Sequence, residues 1–238
     1  MVPHARIIEP ELSGTLEKEN RHRIERVLRL REGDKFVITD GNGHEATAVL
    51  KKNGEYEGDK WESPNREPVL EVTLFAAVSK GDRLEWLIEK AVEMGVRRIV
   101  PLICERCVVK FAGNNKTERW QKIAATAMLQ CGGCVLPKIE SPVKVSELGA
   151  VFGKVNDDIL PILLHEENLE ISLKTLPETS ARHKSVWLAS GPEGGFSENE
   201  VNLFIKMGWN TVWLGKRLFK TDTAPTVALS VILSPHWF

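Results

Sequence analysis

Residues 191–195 read Gly191-Pro192-Glu193-Gly194-Gly195, and their neighbours give that turn its chemistry. Val186 to Ala189 ahead of it are apolar enough for a buried strand, while Ser197 and Glu200 behind it have the spacing of a capping box that opens a helix. A glycine-rich turn between strand and helix leaves backbone N–H groups uncovered beside a helix N-terminus, so an acceptor-rich ligand can approach closely. The arrangement then repeats. The helix is expected to close at Gly208, a strand over Thr211 to Gly215 leads into KRLFKTDTAP, and an apolar helix runs from Thr226 to Leu233. Two such loops at the carboxyl ends of successive strands stand where open α/β sheets place their sites. The first lacks the Lys-Ser/Thr of a P-loop, which argues against a triphosphate, and it lies far from the N-terminal position of a Rossmann glycine loop.

Two other patterns compete for a chemical role. Cys104-x-x-Cys107 and Cys131-x-x-Cys134 form two C-x-x-C pairs, which can supply thiolates to a tetrahedral zinc. Against that, zinc knuckles sit on tight hairpins, whereas Cys104 ends a predicted buried strand and Cys131 follows a predicted helix. There a small buried or loop residue serves equally well. An intracellular chain of this length has no need of disulfides. No metal is therefore expected, with zinc on the four cysteines as the alternative. The second pattern is Arg21, Arg23, Arg26, Arg29 and Arg31, which with His22 surround a single acid, Glu25, in the most basic stretch of the chain. Such a run is either a solvated helix face or a contact for phosphates.

The elements that must position these residues fall into two parts. With 238 residues the chain can form one large or two small domains, and 42% hydrophobic with 27% charged residues is the balance of a globular protein. No apolar run reaches the roughly eighteen residues of a membrane span. The start, MVPHARIIEPEL, resembles neither a signal nor a transit peptide, so a cytoplasmic location is expected, or an organellar matrix or stroma after processing. The net charge of −1 argues neither for nor against nucleic acid.

Residues 1–66 are short and turn-punctuated. RHRIERVLRL places Ile24, Val27 and Leu28 at helical spacing, and strands KFVITD and HEATAVLKK flank the turn Gly41-Asn42-Gly43, a β-rich module of the kind that closes as a partial barrel. The polar segment 58–68, with its two prolines, reads as a linker. Residues 67–238 alternate strand and helix. VLEVTLFAAV is followed by an amphipathic helix from Gly81 to Met94, with Leu84, Leu87, Ile88 and Ala91 on one face and Gly95 as its stop. RRIVPLI, a helix from Glu118 to Leu129, and DDILPILLHE then lead to the glycine turn. This order predicts an α/β domain with a mostly parallel sheet covered on both faces.

Once placed on these elements, GPEGGFSENE and LGKRLFKTDTA resemble the paired C-terminal signatures of the RsmE family, uridine N3-methyltransferases of small-subunit (16S) ribosomal RNA in the SPOUT class. The family's second signature reads L-G-x-R-[IV]-L-R-x-E-T-A. This chain keeps Leu214, Gly215, Arg217, Thr221, Thr223 and Ala224, and carries Lys220 for arginine and Asp222 for glutamate. Both changes keep the charge and re-aim the side chain. Further blocks agree: His22, Val27, Leu28 and Arg29 match H-x-x-x-V-L-R, and Lys80, Lys90, Glu93, Gly95, Pro101 and Arg106 match the central motif. The blocks span roughly residues 22 to 233. One departure stands out, since the family's Q-[SC]-x-R reads Gln130-Cys131-Gly132-Gly133 here.

The resemblance implies a PUA-like RNA-binding β-barrel domain over 1–66, with Arg21, Arg23, Arg26 and Arg29 toward RNA, and a trefoil-knotted SPOUT domain over 67–238. It implies S-adenosylmethionine held by Leu164-His165-Glu166, by Gly191 to Gly195 and by Leu214, Gly215 and Leu218. It gives Arg106, Arg217 and Lys220 as the groups that favour an anionic uracil. The implied partners are ribosomal RNA or the assembled small subunit, and a second copy of the chain in a homodimer to which the apolar C-terminal helix and the ending HWF are suited. Trp86, Trp187 and Trp213 are expected in the core or at that contact. Two alternatives stay open: the same chemistry on another RNA, such as tRNA, and a zinc-bearing RNA-binding protein without catalysis.

Overall fold

The computed structural model describes residues 5–108, 115–166, 171–172 and 174–237, which cluster into two compact units: residues 1–67 with 125–136, and residues 68–124 with 137–238. The first unit is built on period-two alternation. Strands β1 (Arg6–Ile8), β2 (Lys35–Thr39), β3 (Glu45–Leu50) and β4 (Tyr56–Gly58) lie in that order in one sheet, with β1 parallel to β2 and the others antiparallel. Ala46, Ala48 and Leu50 of β3 are buried while the residues between them are half-exposed. Ile7, Ile24, Phe36, Ile38 and Tyr56 complete this core, with the Phe36 and Tyr56 rings edge to face at 6.0 Å. Each fully buried side chain of this size contributes about 1.5–3 kcal/mol.

The basic stretch starts as helix α1 (Lys18–His22) and continues as a π-helical turn over Arg23–Val27, in which Leu28 N donates to the Arg23 carbonyl at 2.9 Å. That i→i−5 bond shifts the phase of the helix. Ile24 stays buried, but Val27, expected on the same apolar face, is 63% exposed. The segment read as a linker is tied down instead: Glu62 and Glu45 exchange backbone hydrogen bonds of 2.9 and 2.8 Å, and Trp61 packs on the first core.

In the second unit apolar runs bounded by helices build a parallel sheet. Its elements in chain order are β5 (Glu71–Ala77), α2 (Arg83–Glu93), β6 (Arg98–Ile103), α3 (Asn115–Cys131, grouped with the first unit from Ala125), β7 (Lys138–Ile139), β8 (Val143–Lys144) and α4 (Leu148–Phe152). They continue with β9 (Ile159–Leu164), β10 (Ile171–Ser172), α5 (Leu176–Ser180), β11 (Ser185–Ser190), α6 (Glu198–Lys206), β12 (Asn210–Trp213) and α7 (Thr223–Leu233). The sheet order is β10-β12-β9-β11-β5-β6-β7, with β8 also on β6, and all of these pairings are parallel. Leu84, Leu87, Ile88 and Ala91 bury the inner face of α2 as their spacing predicts, and Gly95 ends it at φ 92°.

An aromatic cluster stiffens the sheet. Phe75 meets Phe152, Trp187 and Trp209 at 5.2 to 5.6 Å, and Phe204 meets Trp209 at 4.9 Å. Trp187 thus packs in the core as expected, whereas Trp86 is 44% exposed on α2 and is no core residue. Among the described residues, no helix is long and apolar enough to cross a membrane.

Candidate active site

The chain leaves β9, forms β11 on one side of it and then β12 on the other, so three parallel strands end side by side. The loops after them enclose a cavity of about 360 Å³. Leu164, His165 and Glu166 contribute the first wall, and the His165 N–H donates to the Val212 carbonyl at 3.1 Å, tying this loop to β12.

The second wall is Ser190 to Glu193 with Gly195 and Phe196. Here glycine is required. A Cβ at Gly191 would lie 3.0 Å from the Phe196 ring and 3.2 Å from its backbone nitrogen, and Gly195 sits at φ 69°, its N–H closing a turn onto the Pro192 carbonyl at 2.9 Å. Below the turn α6 opens with the capping box read from the sequence: the Glu200 N–H donates to Ser197 Oγ at 3.2 Å and the Ser197 N–H to Glu200 Oε2 at 2.9 Å. Glu200 is only 3% exposed, and its other oxygen accepts from the Glu105 N–H at 2.8 Å. The loop after β6 therefore clamps the floor of the glycine turn. Arg106 completes the clamp, with Nη1 donating to the Gly194 carbonyl at 2.8 Å, and Arg83 Nη1 fixes Glu193 Oε1 at 2.9 Å.

The third wall is Val212 to Gly215 and Arg217 to Thr221, with Gly215 at φ 122°. Arg217 and Lys220 line the cavity, and neither pairs with an acid among the described residues. Asp222, which stands for the family's glutamate, caps α7 and pairs with neither cation, its Oδ1 accepting from the Thr223 N–H at 2.8 Å. Accordingly α7 begins at Thr223, three residues earlier than expected, its first turn stabilised by the carboxylate at its N-terminus. Thr221 Oγ1 is buried without a hydrogen-bond partner among the described residues and belongs to a cavity-lining residue, which leaves it available to a ligand.

Of the residues expected around a cofactor, Leu164, His165, Glu166, Gly191, Pro192, Glu193, Gly195, Leu214, Gly215 and Leu218 line the cavity. Gly194 and Arg106 lie behind the wall, joined to each other. Sequence reasoning gave no site role to Arg83, Phe196, Phe219 or Thr221, and Trp213, expected in the core or at a subunit contact, lines the cavity instead. Phe196 directly follows the glycine turn, and Phe219 and Thr221 share the loop of Arg217 and Lys220; Arg83, at the start of α2, carries no such mark.

The other expected residues lie elsewhere. Arg21, Arg26 and Arg29 are exposed and Arg23 is half-buried, and Arg21 Nε donates to Glu25 Oε1 at 2.8 Å. Cys104 and Cys107 belong to the second unit and Cys131 and Cys134 to the first. Cys134 is packed against Glu67, whose Oε1 accepts from its N–H at 2.7 Å; burial, then that carboxylate, pushes its thiol up to about 12. Among the described residues no group of three or more His, Cys, Asp or Glu side chains converges to hold a metal. Gly133, at the place of the family's arginine, gives its carbonyl to Arg6 Nη2 at 3.3 Å, and a Cβ there would press on Met128 at 3.2 Å.

Comparison with known proteins agrees with this geometry. The RNA methyltransferase domain family matches residues 65–233, and the RNA methyltransferase PUA domain matches residues 15–55. The chain is 35% identical to ribosomal RNA small subunit methyltransferase E of Synechocystis over 93% of its own length and 73% of that protein's. It is 30% identical to the Bacillus subtilis protein of the same name, over 94% and 91%. The crystal structure of ribosomal RNA small subunit methyltransferase E from Neisseria gonorrhoeae bound to S-adenosyl methionine superposes with a TM-score of 0.84 at 29% identity, covering 97% of each chain. A parallel α/β domain with its cavity at three adjacent strand ends, a PUA-type domain before it and relatives matched nearly end to end make this chain a member of the ribosomal RNA small subunit methyltransferase E family of RNA methyltransferases.

Proposed function

We propose that this chain transfers a methyl group from S-adenosylmethionine to N3 of a uridine in small-subunit (16S) ribosomal RNA. The observation that carries this reading is the convergence of three loops on one cavity whose wall holds two unpaired cations, Arg217 and Lys220. The residues present fit the cofactor. Gly191 lets the turn pack closely on Phe196, Thr221 Oγ1 lacks a partner among the described residues, and Leu164, Leu214 and Leu218 offer apolar surface to an adenine. Bound there, S-adenosylmethionine supplies a methyl group activated on a sulfonium.

Positioning and charge are left to the protein. N3 of uracil is weakly acidic and reacts as its anion, which Arg217 and Lys220 favour by placing positive charge beside it. Arg106 keeps the glycine turn in register by holding the Gly194 carbonyl. In a duplex N3 is hidden in the pairing edge, so the target is unpaired or splayed out, and Phe219, 40% exposed on the cavity wall, offers it an aromatic face.

The family resemblance supports the rest of this reading. Residues 1–66 act as the PUA-like RNA-binding domain, with Arg21, Arg23, Arg26 and Arg29 toward ribosomal RNA or the assembled small subunit, in the cytoplasm. Residues 67–238 form the methyltransferase domain, threaded as a trefoil knot, and two copies form a homodimer. The exposed Trp86 and Trp237, at 44% and 43%, support the last point as candidate contact residues.

The deciding experiment is transfer of labelled methyl to small subunits that lack the modification, with the product nucleoside identified by mass spectrometry. N3-methyluridine is expected, and Arg217→Ala is expected to slow its formation by about 10²–10³-fold, the scale of one lost transition-state contact. No transfer to subunits or to total RNA sinks the reading, and a different methylated nucleoside redirects it to another RNA target.

A further inference from the structure

The C-x-x-C pair at residues 104–107 is not used by the mechanism above, yet it sits in the clamp beneath the glycine turn. Cys104 directly follows β6 and is 5% exposed, while Cys107 is half-buried. The Cys107 N–H donates to the Cys104 carbonyl at 3.1 Å, closing a four-residue turn. Such a turn brings its end Cα atoms within about 7 Å, inside the range a disulfide can bridge after small adjustment. The Cys104 N–H in turn donates to Cys107 Sγ at 3.3 Å, and the Cys107 thiol donates to the Leu102 carbonyl at 3.8 Å. The neighbouring Cys104 thiol, aided by the Cys104 N–H and opposed by burial, draws Cys107 down to about 7; the closeness of Cys107, with burial, drives Cys104 upward. The pair is divided in labour: Cys107 is the accessible nucleophile, and Cys104 is the buried resolving thiol.

The residues between them reach the cofactor wall. The Glu105 N–H holds the Glu200 carboxylate that caps α6, and Arg106 holds the Gly194 carbonyl. We propose that Cys104 and Cys107 form an oxidation site at which a hydroperoxide installs a reversible disulfide, and that this disulfide loosens the glycine turn through Glu105 and Arg106. The second half of the proposal rests on the assignment of the cavity to S-adenosylmethionine, and the first half does not.

The chemistry balances in two steps. The Cys107 thiolate attacks the peroxide, forming an S–O bond as the O–O bond breaks; the alkoxide or hydroxide leaves and takes a proton from water. The Cys104 sulfur then attacks the Cys107 sulfenic acid, forming the S–S bond as the S–O bond breaks and water departs. Two thiols lose two electrons and two protons, and the hydroperoxide is reduced to alcohol (or water) and water. Cys134, held near Glu67 with its thiol pushed up to about 12, is an internal control for unselective oxidation.

The test uses the full-length protein with hydrogen peroxide, followed by thiol blocking and peptide mass spectrometry. A 104–107 disulfide that dithiothreitol reverses is expected, with a dimedone-trapped sulfenic acid on Cys107 in the Cys104→Ser variant. The S-adenosylmethionine dissociation constant, measured calorimetrically, should rise about tenfold on oxidation, the scale of one lost charge-assisted hydrogen bond, and recover on reduction. Cys104→Ser should show no such rise. Oxidation of Cys134 at the same rate as Cys107, or absence of the 104–107 disulfide, overturns the site. A disulfide that forms while cofactor affinity stays constant overturns the coupling. If the reduced protein binds no S-adenosylmethionine, the cofactor assignment and with it the coupling fail, while the mass measurement still decides the oxidation site.

Discussion

Arg6 is a buried charge held through one nitrogen, since its Nε and Nη1 are buried without partners among the described residues. It is 3% exposed, and its Nη2 donates to Glu45 Oε2 at 2.7 Å and to the Gly133 carbonyl at 3.3 Å; Arg66 joins the same Glu45 oxygen. Burial by itself would raise the Glu45 carboxyl, but the hydrogen bonds and charges of Arg6 and Arg66 outweigh it and hold the group below its ordinary 4.5. A carboxyl depressed in the folded state contributes stability that is present above its unfolded value and lost as the pH falls through the folded value. Glu45→Gln is therefore expected to cost about 1–3 kcal/mol near neutral pH. The gap in melting temperature between wild type and variant should close on acidification from about pH 6 to about pH 3. A gap of constant size across that range would mean that shape, not charge, holds this corner of the first unit.

The elements at the site were legible where their signals are local, and α6 is the clearest case. Ser197, Glu200 and Gly208 mark its two ends within a single turn each, and the structure puts the box and the stop where those residues stand. The parallel direction of the strands followed from apolar runs separated by helices, while their order in the sheet did not. Other features depend on partners distant in sequence. The three residues of β1 carry no period of their own and become a strand only beside β2, and the π-turn that exposes Val27 comes from a displaced carbonyl that leaves the apolar spacing unaltered. The cavity walls were found by their glycines, while Phe219 and Thr221 have no compositional mark and are placed by the path of the loop after β12. The capping box yields its own prediction. Ser197→Ala removes the acceptor of the Glu200 N–H and should lower stability by about 1 kcal/mol. Because α6 starts directly under the glycine turn, S-adenosylmethionine affinity should fall as well. A variant that melts earlier but binds the cofactor as tightly as wild type would show that the turn is set by Arg106 and Phe196 alone.

For the molecule as a whole, a net charge of −1 leaves affinity for RNA to local placement. Arg26 and Arg29 are exposed, are without ion-pair partners among the described residues, and belong to the first unit, whereas every residue that lines the cavity belongs to the second. Binding of RNA and binding of cofactor are accordingly expected to be separable by mutation. Each arginine that meets a phosphate releases a counterion, so removing it weakens binding and flattens its salt dependence by about 0.7–0.9 in logarithmic slope. The double substitution Arg26→Ala with Arg29→Ala should raise KM for small subunits by about tenfold or more at moderate salt and reduce the salt slope by about 1–2, with kcat and cofactor affinity near wild type. Arg217→Ala should do the reverse, lowering kcat while leaving the salt slope in place. If the Arg26 and Arg29 pair instead lowers kcat at saturating substrate, the basic run acts on the bound RNA at the reacting end, and the division of labour between the two units is wrong.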